Sequence, residues 1–213
     1  MTGHLFNEDY YERGPEKKIS CYSNYRWLPE LTMPAVMTYI DYLGISPGES
    51  ILDFGCAKGF YVKALRLLHR DAWGCDISSY AVSQADDQTR PYVRLSTDNN
   101  MVPFRKRFDY VIAKDVLEHM DVLSVELALA RFRQLFPMNV FIIVPLAENG
   151  KYIIPEDELD LTHNIRFNRE EWEELFNNNR WEVEEFNNNL PGIKNRQTSQ
   201  YSNGVGFFRL RMI

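Results

Sequence analysis

Short, uninterrupted apolar runs alternate with amphipathic stretches along this chain. Residues 51–54, 110–113 and 140–144 read as buried strands, and 71–76 and 92–95 as two further strands. Between 51–54 and 71–76, residues 60–69 have helical spacing: Val62, Leu65 and Leu68 share a face, with Lys63, Arg66 and Arg70 mostly off it. Residues 31–43 predict a helix with Pro34 in its first turn and Gly44 at its end. A further amphipathic helix spans 123–136 and stops before Pro137. Asn168 caps another at 168–177, whose apolar face is Trp172, Leu175 and Phe176. Residues 181–186 alternate apolar and acidic side chains, and 204–212 make a last strand around Phe207. Residues 146–165 form a long loop, and 190–203, rich in Asn, Gln and Ser, a surface loop. Strands alternating with helices predict an α/β protein. No repeat or interdomain linker breaks the 213 residues, so 1–213 reads as one domain in which 1–44 are an N-terminal extension and helix.

Composition narrows the function classes. At 45% hydrophobic and 25% charged, the chain is of ordinary globular type. A net charge of −6 argues against a phosphate-tracking surface, so no nucleic-acid partner is expected. No apolar run reaches membrane-spanning length, and no membrane partner is expected. Cys21, Cys56 and Cys75 show no paired spacing and no leader precedes them, which points to the reducing cytoplasm. The four histidines are scattered without zinc spacing, and no metal is expected. Nothing here sets the oligomeric state.

The candidate chemistry begins at Asp53-x-Gly55-Cys56-Ala57-x-Gly59. A strand, a glycine-rich turn and a helix N-terminus make a site for a nucleotide-like ligand at the carboxyl end of a sheet. The third glycine of the dinucleotide fingerprint is absent. Asp53 would repel a pyrophosphate but pair with an ammonium, and S-adenosylmethionine (SAM) carries an ammonium and no phosphate. About 20 residues on, Asp76 ends the second strand, where an acid accepts hydrogen bonds from a ribose diol. That chemistry serves either adenosine-type cofactor, and Asp76 also suits a helix cap. Ile77 beside it is placed to cover one face of adenine.

Asp53, Gly55 and Gly59 match the Asp/Glu-x-Gly-x-Gly-x-Gly motif of the class I SAM-dependent methyltransferases, with Ala57 departing at the middle glycine. Residues 108–119 resemble that family's F-D-x-V-x-x-x-x-V-L-E-H segment. The resemblance implies a Rossmann-like, seven-stranded, mostly parallel sheet with an antiparallel C-terminal strand and helices on both faces. It implies SAM as cofactor, held by Asp53, Gly55, Cys56, Ala57, Gly59, Asp76, Ile77 and Lys114, with Asp98 and Asn99 along the adenine edge. Lys114 to Glu118 would border the reactive methyl group. Asp160-Leu-Thr-His163 resembles a D-x-T-H element that faces the substrate in relatives, which makes His163 the first candidate base, with Asp160 three residues away to orient it. His119 is a second candidate acid or base, or a structural residue.

Tyr10, Tyr11, Tyr22, Tyr25 and Trp27 crowd a segment of little periodicity. Tyr10 to Gly14 and Asn24 to Trp27 resemble patterns in methyltransferases of sugar and cell-surface polysaccharide pathways. That implies an N-terminal lid with Tyr22, Asn24, Tyr25 and Arg26, together with Glu118, contacting a small-molecule acceptor such as a sugar or nucleotide sugar. The aromatics equally suit packing of the extension onto the core. Lys114-Asp-Val-Leu117 stands where amino-methylating DNA enzymes carry Asp/Asn-Pro-Pro-Tyr/Phe, and no Pro-Cys pair is present to attack a pyrimidine. The reading is methyl transfer to an oxygen or nitrogen. Two alternatives stay open: a SAM-binding partner protein without catalysis, and an NAD-dependent oxidoreductase, against which Asp53, the glycine spacing and the chain length speak.

Overall fold

A computed structural model describes residues 3–213 of the chain; residues 1 and 2 of the extension lie outside it. Two short helices, α1 (Glu8–Glu12) and α2 (Gly14–Lys17), precede the long α3 (Pro29–Leu43). Strand β1 (Ser50–Phe54), helix α4 (Phe60–Leu67) and strand β2 (Asp71–Asp76) follow as one unit. Helix α5 (Ser79–Ser83) leads to β3 (Val93–Leu95) and then β4 (Tyr110–Lys114). Helix α6 (Val122–Leu135) returns the chain to β5 (Asn139–Pro145). A small hairpin, β6 (Ala147–Glu148) and β7 (Lys151–Tyr152), is followed by α7 (Arg169–Asn178), β8 (Trp181–Asn187), α8 (Asn195–Gln200) and β9 (Val205–Met212).

The main sheet has seven strands in the order β3-β2-β1-β4-β5-β9-β8. The β1–β5 pairings are parallel, and β9 runs antiparallel to both β5 and β8. Alternation along the buried strands divides the core. Leu52, Phe54, Val111, Ala113, Val140 and Ile142 pack with α6 and α7, including Phe132 and Trp172. Ile51, Tyr110, Ile112, Phe141 and Ile143 pack with α3 and α4 on the other face, including Val36, Tyr39 and Leu65. The chain order reverses at β1: β2 and β3 lie to one side of it, β4 and β5 to the other. A crevice at the carboxyl ends of the strands is expected at such a switch point.

Local chemistry sets the element ends. Asn168 and Glu171 form a reciprocal capping box at the start of α7. Asp121 accepts from the Ser124 N–H to start α6, and Gly44 ends α3 in the left-handed conformation. Three segments differ from the sequence expectation. Helix α3 begins at Pro29, so Pro34 lies in its interior, exposed, rather than in the first turn. The 146–165 segment contains the β6/β7 hairpin and a 3-10 turn, Pro155–Leu159. The 190–203 segment contains α8, which has no side-chain cap at its start and buries only Thr198, so its sequence carried no periodic signal. Among the described residues no helix is long and apolar enough to cross a membrane.

Candidate active site

The glycine loop after β1 is drawn onto the end of β2. The Gly55 and Cys56 N–H groups both donate to the Cys75 carbonyl, at 2.8 and 3.1 Å. Gly55 has φ +81°, and a Cβ there would stand 2.2 Å from Val116 Cγ2, so only glycine fits. Ala57 occupies the left-handed region at φ +48°, and its N–H donates to Asp76 Oδ2 at 2.7 Å. Gly59 has φ +78° and a Cβ there would meet Thr89. Gly59 starts α4 and lies in the turn itself, outside the cavity lining.

A cavity of about 410 Å³ opens over this loop. Asp53, Gly55, Cys56, Ala57, Asp76, Ile77 and Lys114 line it. Asp53 is 5% exposed, and its Oδ2 has no partner. Burial, then the neighbouring charge of Asp76, push its carboxyl up to about 7, with Lys114 pulling the other way. Asp76 Oδ1 accepts from the Ser78 N–H at 2.7 Å, so its carboxylate already braces the loop and α5. A carboxylate has about four acceptor sites, and the backbone groups of Ala57, Ser78 and Ile77 do not fill them all. Burial raises Asp76 as well, against these backbone bonds.

Asp98 and Asn99 are exposed and outside this lining, contrary to their expected place on the adenine edge. They sit at the tip of a tight turn closed by Thr97 and Asn100, and Ser96 and Met101 at its base line the cavity instead. Ser96 Oγ donates to the Met101 carbonyl at 2.8 Å.

The extension covers the cavity. Phe6, Tyr10, Tyr11, Tyr22 and Tyr25 all line it, and their rings pack edge to face and tilted. Lys58 in the glycine loop holds the extension down: its Nζ donates to Glu12 Oε1 at 2.5 Å and to the Tyr25 carbonyl at 2.8 Å. Asn24 and Arg26 are exposed and do not line the cavity, so the N-Y-R-W run brings only its tyrosine to the site. Asn24 takes a left-handed backbone, φ +48°, as the chain turns beside α1, and its N–H donates to the Glu12 carbonyl. Tyr10, Tyr11 and Phe6 join the site without a motif of their own; the crowding of aromatics is the sequence signal for the two tyrosines.

A second cavity, about 370 Å³, shares Tyr22, Asp115 and His119 with the first. Glu118, Asp157, Asp160, His163 and Lys194 are among its other polar lining residues. Asp115 pairs with Lys114 and, at 2.5 Å, with Lys194. Burial alone would raise its carboxyl, but the two ammonium groups hold it well below the usual range. Glu118, by contrast, is 1% exposed with Oε2 unpartnered, and burial followed by the charge of Asp115 pushes it well up.

The two candidate histidines meet here, ring centroids 4.5 Å apart. His119 lies on the 3-10 turn Leu117–His119, and His163 follows the 3-10 turn Pro155–Leu159. His119 Nδ1 contacts Thr162 Oγ1 at 2.7 Å, while Thr162 Oγ1 donates to Asp160 Oδ1 at 2.6 Å. The threonine's single hydrogen is spent on Asp160, so the histidine carries its proton on Nδ1 and leaves Nε2 with a free lone pair. The D-x-T-H element therefore orients His119 rather than His163, because the Asp160 carboxylate is taken up by Thr162 and Tyr10. His163 Nδ1 is buried without a partner, and His163 lines only the second cavity. Burial, then His163, lower His119 to about 4, and burial lowers His163, so both rings are neutral at pH 7.

Residues 27–192 match a family model described as a methyltransferase domain. No curated protein matches the chain. Among solved structures, a SAM-dependent methyltransferase from Archaeoglobus fulgidus is similar at a TM-score of 0.65 and 14% identity, with 86% of this chain and 94% of that one covered. The magnesium protoporphyrin IX methyltransferase of Synechocystis, with SAH bound, gives 0.61 and 14%, covering 86% and 83%. A SAM-dependent methyltransferase from Clostridium acetobutylicum gives 0.62 and 8%, covering 89% and 93%.

Proposed function

Because the chain belongs to the methyltransferase-domain family, we infer that it is a SAM-dependent methyltransferase passing a methyl group to an oxygen or nitrogen of a small molecule. The residues present suit that cofactor. The orphaned, buried Asp53 Oδ2 is the group an amino-acid ammonium would satisfy. Asp76 retains acceptor capacity for a ribose diol beside Ile77, and Ser96 and Met101 line the same cavity. When bound, SAM supplies an electrophilic methyl on a sulfonium and leaves as S-adenosylhomocysteine (SAH).

The observation that carries this reading is that His119 lines both cavities. In it the first cavity would hold the cofactor and the second the acceptor, with His119 and Tyr22, which line both, between them. The chain's own work is alignment and exclusion of water, which can supply a large part of such a rate. The tyrosines of the extension and the Lys58–Glu12 pair close the cofactor side. His119, held in one tautomer by Thr162 and Asp160, accepts the acceptor's proton at Nε2 or orients its hydroxyl. His163 stands behind it as a second neutral imidazole.

The mixed acidic and basic lining of the second cavity favours a polar acceptor, and sugars and nucleotide sugars are the first to try. Three unpaired cysteines fit an enzyme of the cytoplasm. The test is incubation with methyl-labelled SAM and a panel of such acceptors, read by mass. Gain of one methyl on an acceptor, lost in Asp53→Ala, is expected. SAH binding with no transfer to any acceptor would favour a non-catalytic SAM-binding protein.

A further inference from the structure

The second cavity holds a donor set that methyl transfer does not by itself require. Glu118, His119 and His163 each offer one ligand atom, and these atoms lie within 4.8 Å of one another. All three residues line the second cavity. Glu118 Oε2 and His163 Nδ1 are buried and have no hydrogen-bond partner. An unpaired carboxylate kept from water is costly unless a cation or donor meets it. His119 keeps a lone pair on Nε2 because its other nitrogen is engaged by Thr162.

Two imidazole nitrogens and one carboxylate oxygen make a three-ligand set that divalent transition metals take while leaving further positions open. The Asp160–Thr162–His119 chain supplies what a ligating histidine needs on its far side, an oxygen that fixes ring and tautomer. Asp115 is an unsuitable fourth ligand, since Lys114 and Lys194 already neutralise it.

We propose that Glu118, His119 and His163 hold one divalent transition-metal ion in the wall between the two cavities, with its open positions toward the second. Metal–nitrogen distances of about 2.0–2.1 Å put neighbouring ligands of a tetrahedral ion roughly 3.4 Å apart. The three side chains therefore draw in by about 1 Å on binding, a rotation of side chains and not of the fold. The ion's use rests on the methyl-transfer reading and takes the place of His119 as base, since the ion occupies the Nε2 lone pair: it would coordinate the acceptor's hydroxyl and lower that hydroxyl's pKa, so that the proton leaves to water in the second cavity as the oxygen takes the methyl. Its binding does not rest on that reading.

The experiment uses Mn(II) as probe. Chelator-stripped protein is titrated and free Mn(II) read by electron paramagnetic resonance, with Zn(II) competition. One ion per chain is expected, weakened at least tenfold in Glu118→Gln and in His163→Ala. Both positions lie outside the first cavity, so SAH affinity within twofold of wild type shows each variant is folded. If Glu118→Gln loses SAH binding, His163→Gln serves in its place. No saturable binding, or binding unchanged in the folded variants, overturns the site. Ion binding without methyl transfer to any acceptor would leave this site standing and count against the methyltransferase reading; transfer indifferent to chelator, with no ion bound, would do the reverse.

Discussion

The Tyr10 hydroxyl donates to Asp160 Oδ2 at 2.8 Å, a buried bond between residues 150 apart in the chain. It joins the covering extension to the loop that orients His119. The bond reaches a carboxylate, and such bonds contribute about 1.5–3 kcal/mol. Tyr10→Phe should therefore lower stability in urea unfolding by about that amount. It should also cut methyl transfer more than SAH affinity, because Asp160 loses one of its two anchors. Transfer and affinity falling equally would show that Tyr10 serves only to cover the cavity.

Asp53 gives a pH signature of known sign. Its carboxyl is raised from 3.8 to about 7 in the folded apo protein, so the folded state holds the extra proton between those values. Relative to Asp53→Asn, the apo wild type should lose stability as pH rises from about 4 to about 7. An ammonium ligand reverses the preference by pairing with the ionised form. SAH affinity should accordingly fall by up to about tenfold per unit as pH drops below about 7. Calorimetric affinities that are flat from about pH 5.5 to about pH 7.5 would sink the ammonium role.

Asp76→Ala removes a ligand acceptor and both braces of the loop, the bonds from Ala57 and Ser78. SAH affinity should fall by roughly 10- to 150-fold, the equivalent of about 1.5–3 kcal/mol, and the melting temperature should drop with it. A stability loss with undiminished affinity would reduce Asp76 to a brace.

Ala57 departs from the related motif's glycine yet sits at φ +48°. The left-handed region costs an L-residue roughly 1–2 kcal/mol, and glycine's greater freedom in the unfolded chain offsets up to about 1. Ala57→Gly should leave SAH binding intact and raise stability by between zero and about 1.5 kcal/mol. A clear loss would mean that the Ala57 methyl, packed near Tyr10 and Tyr11, matters more than the backbone.

What was legible in the sequence was local. Asp53, Gly55 and Asp76 belong to one strand–turn–helix–strand unit, and every partner they use lies within it or beside it. Strands β1, β4 and β5 could be read because burial on both faces demands apolar runs. The acceptor side was not legible, because its contacts join distant segments: Thr162 to His119 across 43 residues, Tyr10 to Asp160 across 150. A spacing of three suggested that Asp160 serves His163; folding gave Asp160 to Thr162 and Tyr10. Histidines without metal spacing along the chain became neighbours through two 3-10 turns. Asn24, Arg26, Asp98 and Asn99 were singled out by pattern, and exposed turns put them outside the lining.

A structure with SAH bound decides whether the two cavities meet at the transferred methyl. The amino-acid ammonium should contact Asp53 and the ribose hydroxyls Asp76, with the sulfur directed past Tyr22 and His119 at the second cavity. A sulfur facing solvent, with His119 closed off from it and the ammonium away from Asp53, would contradict the account.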